Sequence, residues 1–142
     1  MYQDYQNRFS VLQDETTVDD HISDNVINLV HAPLTVYENP FLVFRIGTAI
    51  VSAGGGTLEI KLVTSAAAGL GTPTVLWSSG VLANATIVAW TADSLIYLVR
   101  VPPVITLQYL GMIYTIGSAV FTAGTWDAFL TPDIPILIGA AA

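Results

Sequence analysis

His21 and His31 are the imidazoles of this 142-residue sequence, so a histidine base or a histidine zinc ligand would have to be one of them. His21 lies in the run DETTVDDHISDN, where Asp14, Glu15, Asp19, Asp20 and Asp24 are hard oxygen donors of the kind calcium prefers. The spacing is wrong for a calcium loop, which alternates its ligands and places a glycine at the sharp turn. No HExxH-like array surrounds either histidine, so the run reads as a solvated acidic arm and no metal is expected. A Ser-His-Asp triad would need His21 or His31 to meet a hydroxyl and an aspartate in the fold, but there is no GxSxG elbow and no cysteine nucleophile. Beyond the acidic lead the carboxylates are Glu38, Glu59, Asp93, Asp127 and Asp133, a thin supply for paired-carboxylate glycoside cleavage. The glycines of AGGGT are followed by no lysine and no helix signal, which leaves turn chemistry rather than phosphate binding. The expectation is a protein without catalytic residues and without a cofactor.

Trp77, Trp90 and Trp126, with Tyr97, Tyr109 and Tyr114, could form a stacking platform for a sugar, although core or interface packing is the default for such rings. Asn84-Ala85-Thr86 matches a glycosylation acceptor. The start MYQDYQNRFSVLQDE has neither a basic opening nor an apolar run before small residues, so no secretory leader is expected and the match reads as chance.

Composition narrows the partners. With 4 basic residues against 11 acidic ones the formal net charge is −7, too acidic to neutralise a run of phosphates, and nucleic acid is not expected. The chain is 53% hydrophobic and 11% charged, with a mean hydropathy of +0.62. One domain of this length cannot hide so much apolar surface alone, which points to a protein partner. There is no cysteine, so stability must come from packing. Residues 104–123 carry no charge over a length that could cross a bilayer. Their glycines and β-branched or aromatic residues fit two strands around a Gly-Ser turn better, and no membrane is expected.

The elements that must hold these residues are strands. Residues 1–24 are polar and acidic and read as an arm that is mobile or ordered against a neighbour, with a β-sandwich domain over 25–142. Short apolar runs ended by Gly, Pro, Asn or Ser predict strands at Val26 to Val30, Phe41 to Thr48, Thr57 to Thr64, Thr74 to Ser78, Thr86 to Trp90, Leu95 to Val101, Thr106 to Ile116 and Thr125 to Leu130. In TLEIKLVT, Leu58, Ile60 and Leu62 share one face and Thr57, Glu59 and Lys61 the other. Gly54 to Gly56 predict a tight hairpin joining it to FLVFRIGT. The strand TLQYLGMIYT is apolar on both faces, so one face should meet the opposing sheet and the other a second subunit or a loop. No segment has helical periodicity, and a helix of any length is not expected. About eight short antiparallel strands with frequent turns predict an all-β, jelly-roll-like two-sheet sandwich.

The order of several strings resembles the small capsid cement, or decoration, proteins of tailed bacteriophages. The likeness runs from about Phe9 to Asp133 and is carried by FSVLQDETT, SDNVINL, Pro33-Leu34, FLVFRIGT, AGGGTLEIKLVTS, the WSSG turn at Trp77 to Gly80 and YLGMIYTIGSAVFTAGTWDAFLTPD. The resemblance implies a jelly-roll-like homotrimer, made in the host cytoplasm and bound to the outer capsid surface of the virion at or near three-fold positions. There it would contact the major capsid protein and perform no catalysis. Where the family often has a basic residue before its Tyr-Leu pair, this chain has Gln108 before Tyr109 and Leu110. Two interface expectations follow: Asp14, Glu15, Asp19 and Asp20 belong to a reaching arm, and one face of the strand carrying Tyr109, Leu110, Met112 and Tyr114 is buried between subunits. The alternative is a virion-surface sandwich that binds carbohydrate or a receptor.

Overall fold

The computed structural model describes residues 8–29, 40–101 and 107–131. Among them lie strands β1 (Arg8–Gln13), β2 (Asp19–Ile22), β3 (Ile27–Asn28), β4 (Phe41–Val51), β5 (Thr57–Ser65), β6 (Thr74–Leu82), β7 (Leu95–Arg100), β8 (Tyr109–Gly117) and β9 (Ala123–Thr131), and one helical turn, α1 (Asn84–Ile87). One sheet has the order β1-β9-β4-β7; the other has β2-β8-β5-β6, with β3 also paired to β8. Every described pairing is antiparallel. With β2 and β3 taken as one interrupted strand, the strands pair first-eighth-third-sixth in one sheet and second-seventh-fourth-fifth in the other. That is the jelly-roll order of two Greek keys.

The sandwich closes because each sheet turns one apolar face inward. Leu42, Phe44 and Ile46 of β4 and Trp126, Ala128 and Leu130 of β9 meet Leu58, Ile60 and Leu62 of β5 and Leu110, Met112 and Tyr114 of β8 in one core cluster. Phe44 sits at its centre, with ring centroids 6.2 Å from Trp90, 6.2 Å from Tyr114 and 6.3 Å from Trp126. At these separations tilted and edge-on rings attract beyond simple area burial.

The structure departs from the sequence pattern at several elements. FLVFRIGT and TLEIKLVT do not form a hairpin: β4 and β5 lie in different sheets, and β5 pairs with β6 and β8. The glycines between them serve a crossover. A Cβ at Gly56 would sit 2.6 Å from the Ala119 carbonyl oxygen and 2.9 Å from the Phe121 ring, so only glycine lets this link pass under the β8–β9 loop.

Thr86 to Trp90 is not a strand but α1 and the turn after it. Ile87 is buried and Trp90 packs on the core, a spacing of three that one helical turn brings to one side while the chain passes from β6 to β7. The WSSG string is no turn either. It lies within β6, where Glu59 pairs with Val81 but Lys61 pairs with Ser78, so β6 carries an extra residue. Gly80 (φ +71°) absorbs this bulge, and the Ser79 hydroxyl accepts the Ile60 N–H at 3.0 Å.

The acidic lead is not a free arm over the residues that the structure describes. Phe9 of β1 is fully buried in the core, β1 pairs with β9, and β2 pairs with β8. Residues 8–24 therefore belong to the sandwich, and residues 1–7 lie outside the described residues.

Candidate functional site

The structure separates the expected interface residues into two groups. Leu110, Met112 and Tyr114 are fully buried on the inward face of β8, so they are core residues of this chain and not contacts between subunits. Tyr109, half-buried, lies on the opposite face of β8 with Ile113, Val63, Val26 and Leu70. The cover there is a loop, since Leu70 from the β5–β6 connection lies over Gly111, whose added Cβ would meet Leu70 Cδ1 at 2.6 Å. Gln108, where the cement proteins often carry a base, donates to Asn28 Oδ1 at 3.3 Å.

Asp14, Glu15, Asp19 and Asp20 come together at the β1–β2 corner, with Asp14, Asp19 and Asp20 exposed. The corner is held by a polar seam running outward from the core. The buried Tyr114 hydroxyl lies 2.8 Å from Ser10 Oγ, which donates to Gln13 Oε1. Gln13 Nε2 donates to Glu15 Oε1 at 2.7 Å and to the Ile22 carbonyl at 3.0 Å, which ties β1 to β2 across the two sheets. Burial raises the Tyr114 pKa well above its ordinary value of 10.0, with the Ser10 hydrogen bond opposing the shift. Among the described residues Trp126 Nε1 is buried with no hydrogen-bond partner, and its ring stands edge-on to that of Tyr114 at 5.2 Å. Asp24 is raised as well, first by burial and then by the Glu15 charge, against a hydrogen bond from the Val11 backbone.

His21 is held at the outer end of this seam. Its Nδ1 is 3.0 Å from Glu15 Oε2, and its Nε2 is 2.8 Å from the Thr17 carbonyl and 3.3 Å from the Thr17 hydroxyl. A hydroxyl, an imidazole and a carboxylate thus lie together, the composition of a triad. The geometry is that of a loop pin. Nε2 is nearer to the carbonyl oxygen of Thr17 than to its hydroxyl, so the nitrogen that would have to accept the hydroxyl proton is spent on a backbone acceptor. His31 lies outside the described residues. Among the described residues no three His, Cys, Asp or Glu side chains are arranged to hold a metal ion.

The aromatic set also divides. Trp126 and Tyr114 are in the core; Trp77 and Tyr97 meet edge-on at 5.2 Å between β6 and β7 and are half-buried there with Trp90. Rings at 67° to one another do not make a flat sugar platform. Asn84 opens α1 with its Oδ1 buried and, among the described residues, unpaired, a poor posture for a glycosylation acceptor.

Three loops at the same end of the sandwich form a second feature that the sequence did not reveal. The Phe121 N–H donates to the Thr16 carbonyl at 3.2 Å, the Thr122 N–H to the Val51 carbonyl at 2.8 Å, and Ser52 Oγ to the Val120 carbonyl at 2.8 Å. The β1–β2, β4–β5 and β8–β9 connections are thereby stitched into one surface. Val18, Val51 and Val120 stand on it 48%, 48% and 49% exposed.

No described helix is long and apolar enough to cross a membrane, and residues 109–117 of the uncharged stretch are strand β8. The family model described as Bbp16 matches residues 13–130, from the end of β1 almost to the end of β9. No curated protein matches the chain.

Proposed function

We propose that this chain, which belongs to the Bbp16 family, is a capsid decoration protein of a tailed phage. It binds the outer surface of the icosahedral shell and adds contacts between major capsid subunits. The observation that carries the reading is the jelly-roll strand order, the fold that the resemblance to cement proteins implies. A jelly roll hosts many functions, so the specific role rests on the ordered strings shared with those proteins from Phe9 to Asp133.

The physical chemistry is suited to such a role. A decoration protein acts by area, many modest contacts spread across subunit boundaries, and needs no reactive group. This chain places its chemistry-bearing residues in structural work: His21 and Glu15 pin a corner, and Asp127 pairs with Arg45. The resemblance further implies a homotrimer at or near three-fold positions of the virion.

The test is cosedimentation of the purified chain with shells assembled without it. Saturable binding that raises the melting temperature of the shells is expected. Shells that sediment without the chain at micromolar concentration would overturn the reading.

A further inference from the structure

The three-loop tip that carries Val18, Val51 and Val120 departs from the ordinary chemistry of loop ends, which are mostly small or polar. Here three β-branched side chains, far apart in sequence, stand half exposed on backbone that is already fixed. The hydrogen bonds from Phe121 to Thr16, Thr122 to Val51 and Ser52 to Val120 hold the loops to one another, and Gly56 N–H donates to Ser52 Oγ at 2.9 Å. A Cβ at Gly54 would lie 2.7 Å from the Ala119 Cβ, so the β4–β5 and β8–β9 loops are also in direct contact. A surface preorganised in this way loses little entropy when it docks.

Acids flank the valines on one side. Asp14 is in the same corner as Val18, and Asp19 and Asp20 follow it, paired to Ile116 and Thr115 at the end of β8; Thr115 Oγ1 donates to Asp20 Oδ1. An apolar centre with a charged rim is the usual anatomy of a protein contact.

We propose that this tip is the surface that docks on the shell, and that its occupant is an apolar pocket with a lysine- or arginine-lined rim on a capsid subunit. The inference rests on the decoration role proposed above and adds which end of the molecule faces the shell. Charge selects the occupant. A second copy of the chain is poorly suited to supply a basic rim: it carries 4 basic residues against 11 acidic ones, Arg45 is paired with Asp127, Arg100 is stacked on Phe41, and Lys61 lies on the other sheet from Arg8. Nucleic acid and anionic lipid are repelled by the same acids.

The test is the shell cosedimentation assay with three forms of the full chain. Val18→Ser, Val51→Ser and Val120→Ser combined should weaken binding at least about tenfold, as removal of an interface centre does. Val75→Ser changes a residue 50% exposed at the start of strand β6, paired to Val63 at the end of the sheet away from the tip, and should bind as the unsubstituted chain does. Asp14→Asn with Asp19→Asn should slow association and flatten its dependence on salt. Unchanged binding by the triple variant would overturn the docking surface while leaving the decoration role standing. Failure of the unsubstituted chain to bind would remove the role itself, and the docking surface with it. Circular dichroism of the triple variant distinguishes a lost contact from a lost fold. If it is unfolded, Val120→Ser alone carries the same expectation at about threefold, and unchanged binding by it would overturn the surface equally.

Discussion

Asp127 grips Leu12: its Oδ1 accepts the Leu12 backbone N–H at 2.6 Å while its Oδ2 takes the Arg45 guanidinium at 3.1 Å. Leu12 is a non-glycine residue with φ +49°, in a part of β1 where the register with β9 slips. One nearly buried carboxylate thus satisfies a strained edge strand and its own cross-strand partner, since Arg45 and Asp127 are directly paired between β4 and β9.

Asp127→Ala should therefore destabilise the chain by about 1–2 kcal/mol, because it removes the acceptor of the part-buried Leu12 N–H and the partner of the Arg45 guanidinium. The damage should be local first. Hydrogen exchange would show the amides of β1 losing protection before those of β4, and equal loss in both strands would contradict this account.

The buried Tyr114 hydroxyl predicts an alkaline limit. Its folded pKa lies above the ordinary value of 10.0, so the stability tied to it is complete below that value and is lost as pH rises past it, where the unfolded chain ionises and the folded one resists. Tyr114→Phe should cost about 1 kcal/mol at neutral pH by breaking the pair with Ser10. It should also flatten the fall in melting temperature above about pH 10.

Asp24 carries the opposite practical consequence. Its pKa is raised above 3.8 by burial and by Glu15, so its contribution to stability is greatest below that value and declines as pH rises through the folded pKa. Asp24→Asn should stabilise the chain at neutral pH, by a few tenths of a kcal/mol given its partial exposure. The gain should vanish in acid denaturation below about pH 4.

Gly80 has φ +71° with open space where a Cβ would stand, so Gly80→Ala meets backbone strain and no clash. A cost of about 1 kcal/mol is expected in denaturant titration. A much larger loss would contradict the open space at the β6 bulge.

Legibility in the sequence followed the regularity of the strands. TLEIKLVT could be read because one face is buried and one is open, so Leu58, Ile60 and Leu62 alternate with polar neighbours. RFSVLQ could not, because two register slips leave Phe9 and Ser10 both buried and Val11 and Leu12 both exposed, which erases the period of two. With the period of β1 erased, the acidic corner beyond it has the sequence pattern of an arm.

The link from β4 to β5 failed for another reason. Glycines favour a hairpin and a crossover alike, and only distant contacts with Ala119 and Phe121 decide between them. The same holds for the interface. Both faces of β8 are apolar, one for the core and one for the Leu70 loop, so Met112 and Tyr114 could not be told from contact residues by pattern. Met112→Asp should now be expected to unfold the chain itself rather than part an oligomer. Val18, Val51 and Val120 become one surface only through hydrogen bonds between loops, for which no local sequence signal exists.

Electron cryomicroscopy of shells incubated with the chain would show whether and how it decorates them. Added jelly-roll density is expected on the outer surface at contacts between major capsid subunits, with the loops of Val18, Val51 and Val120 facing the shell. A bare outer surface at saturating concentrations of the chain would contradict the decoration role.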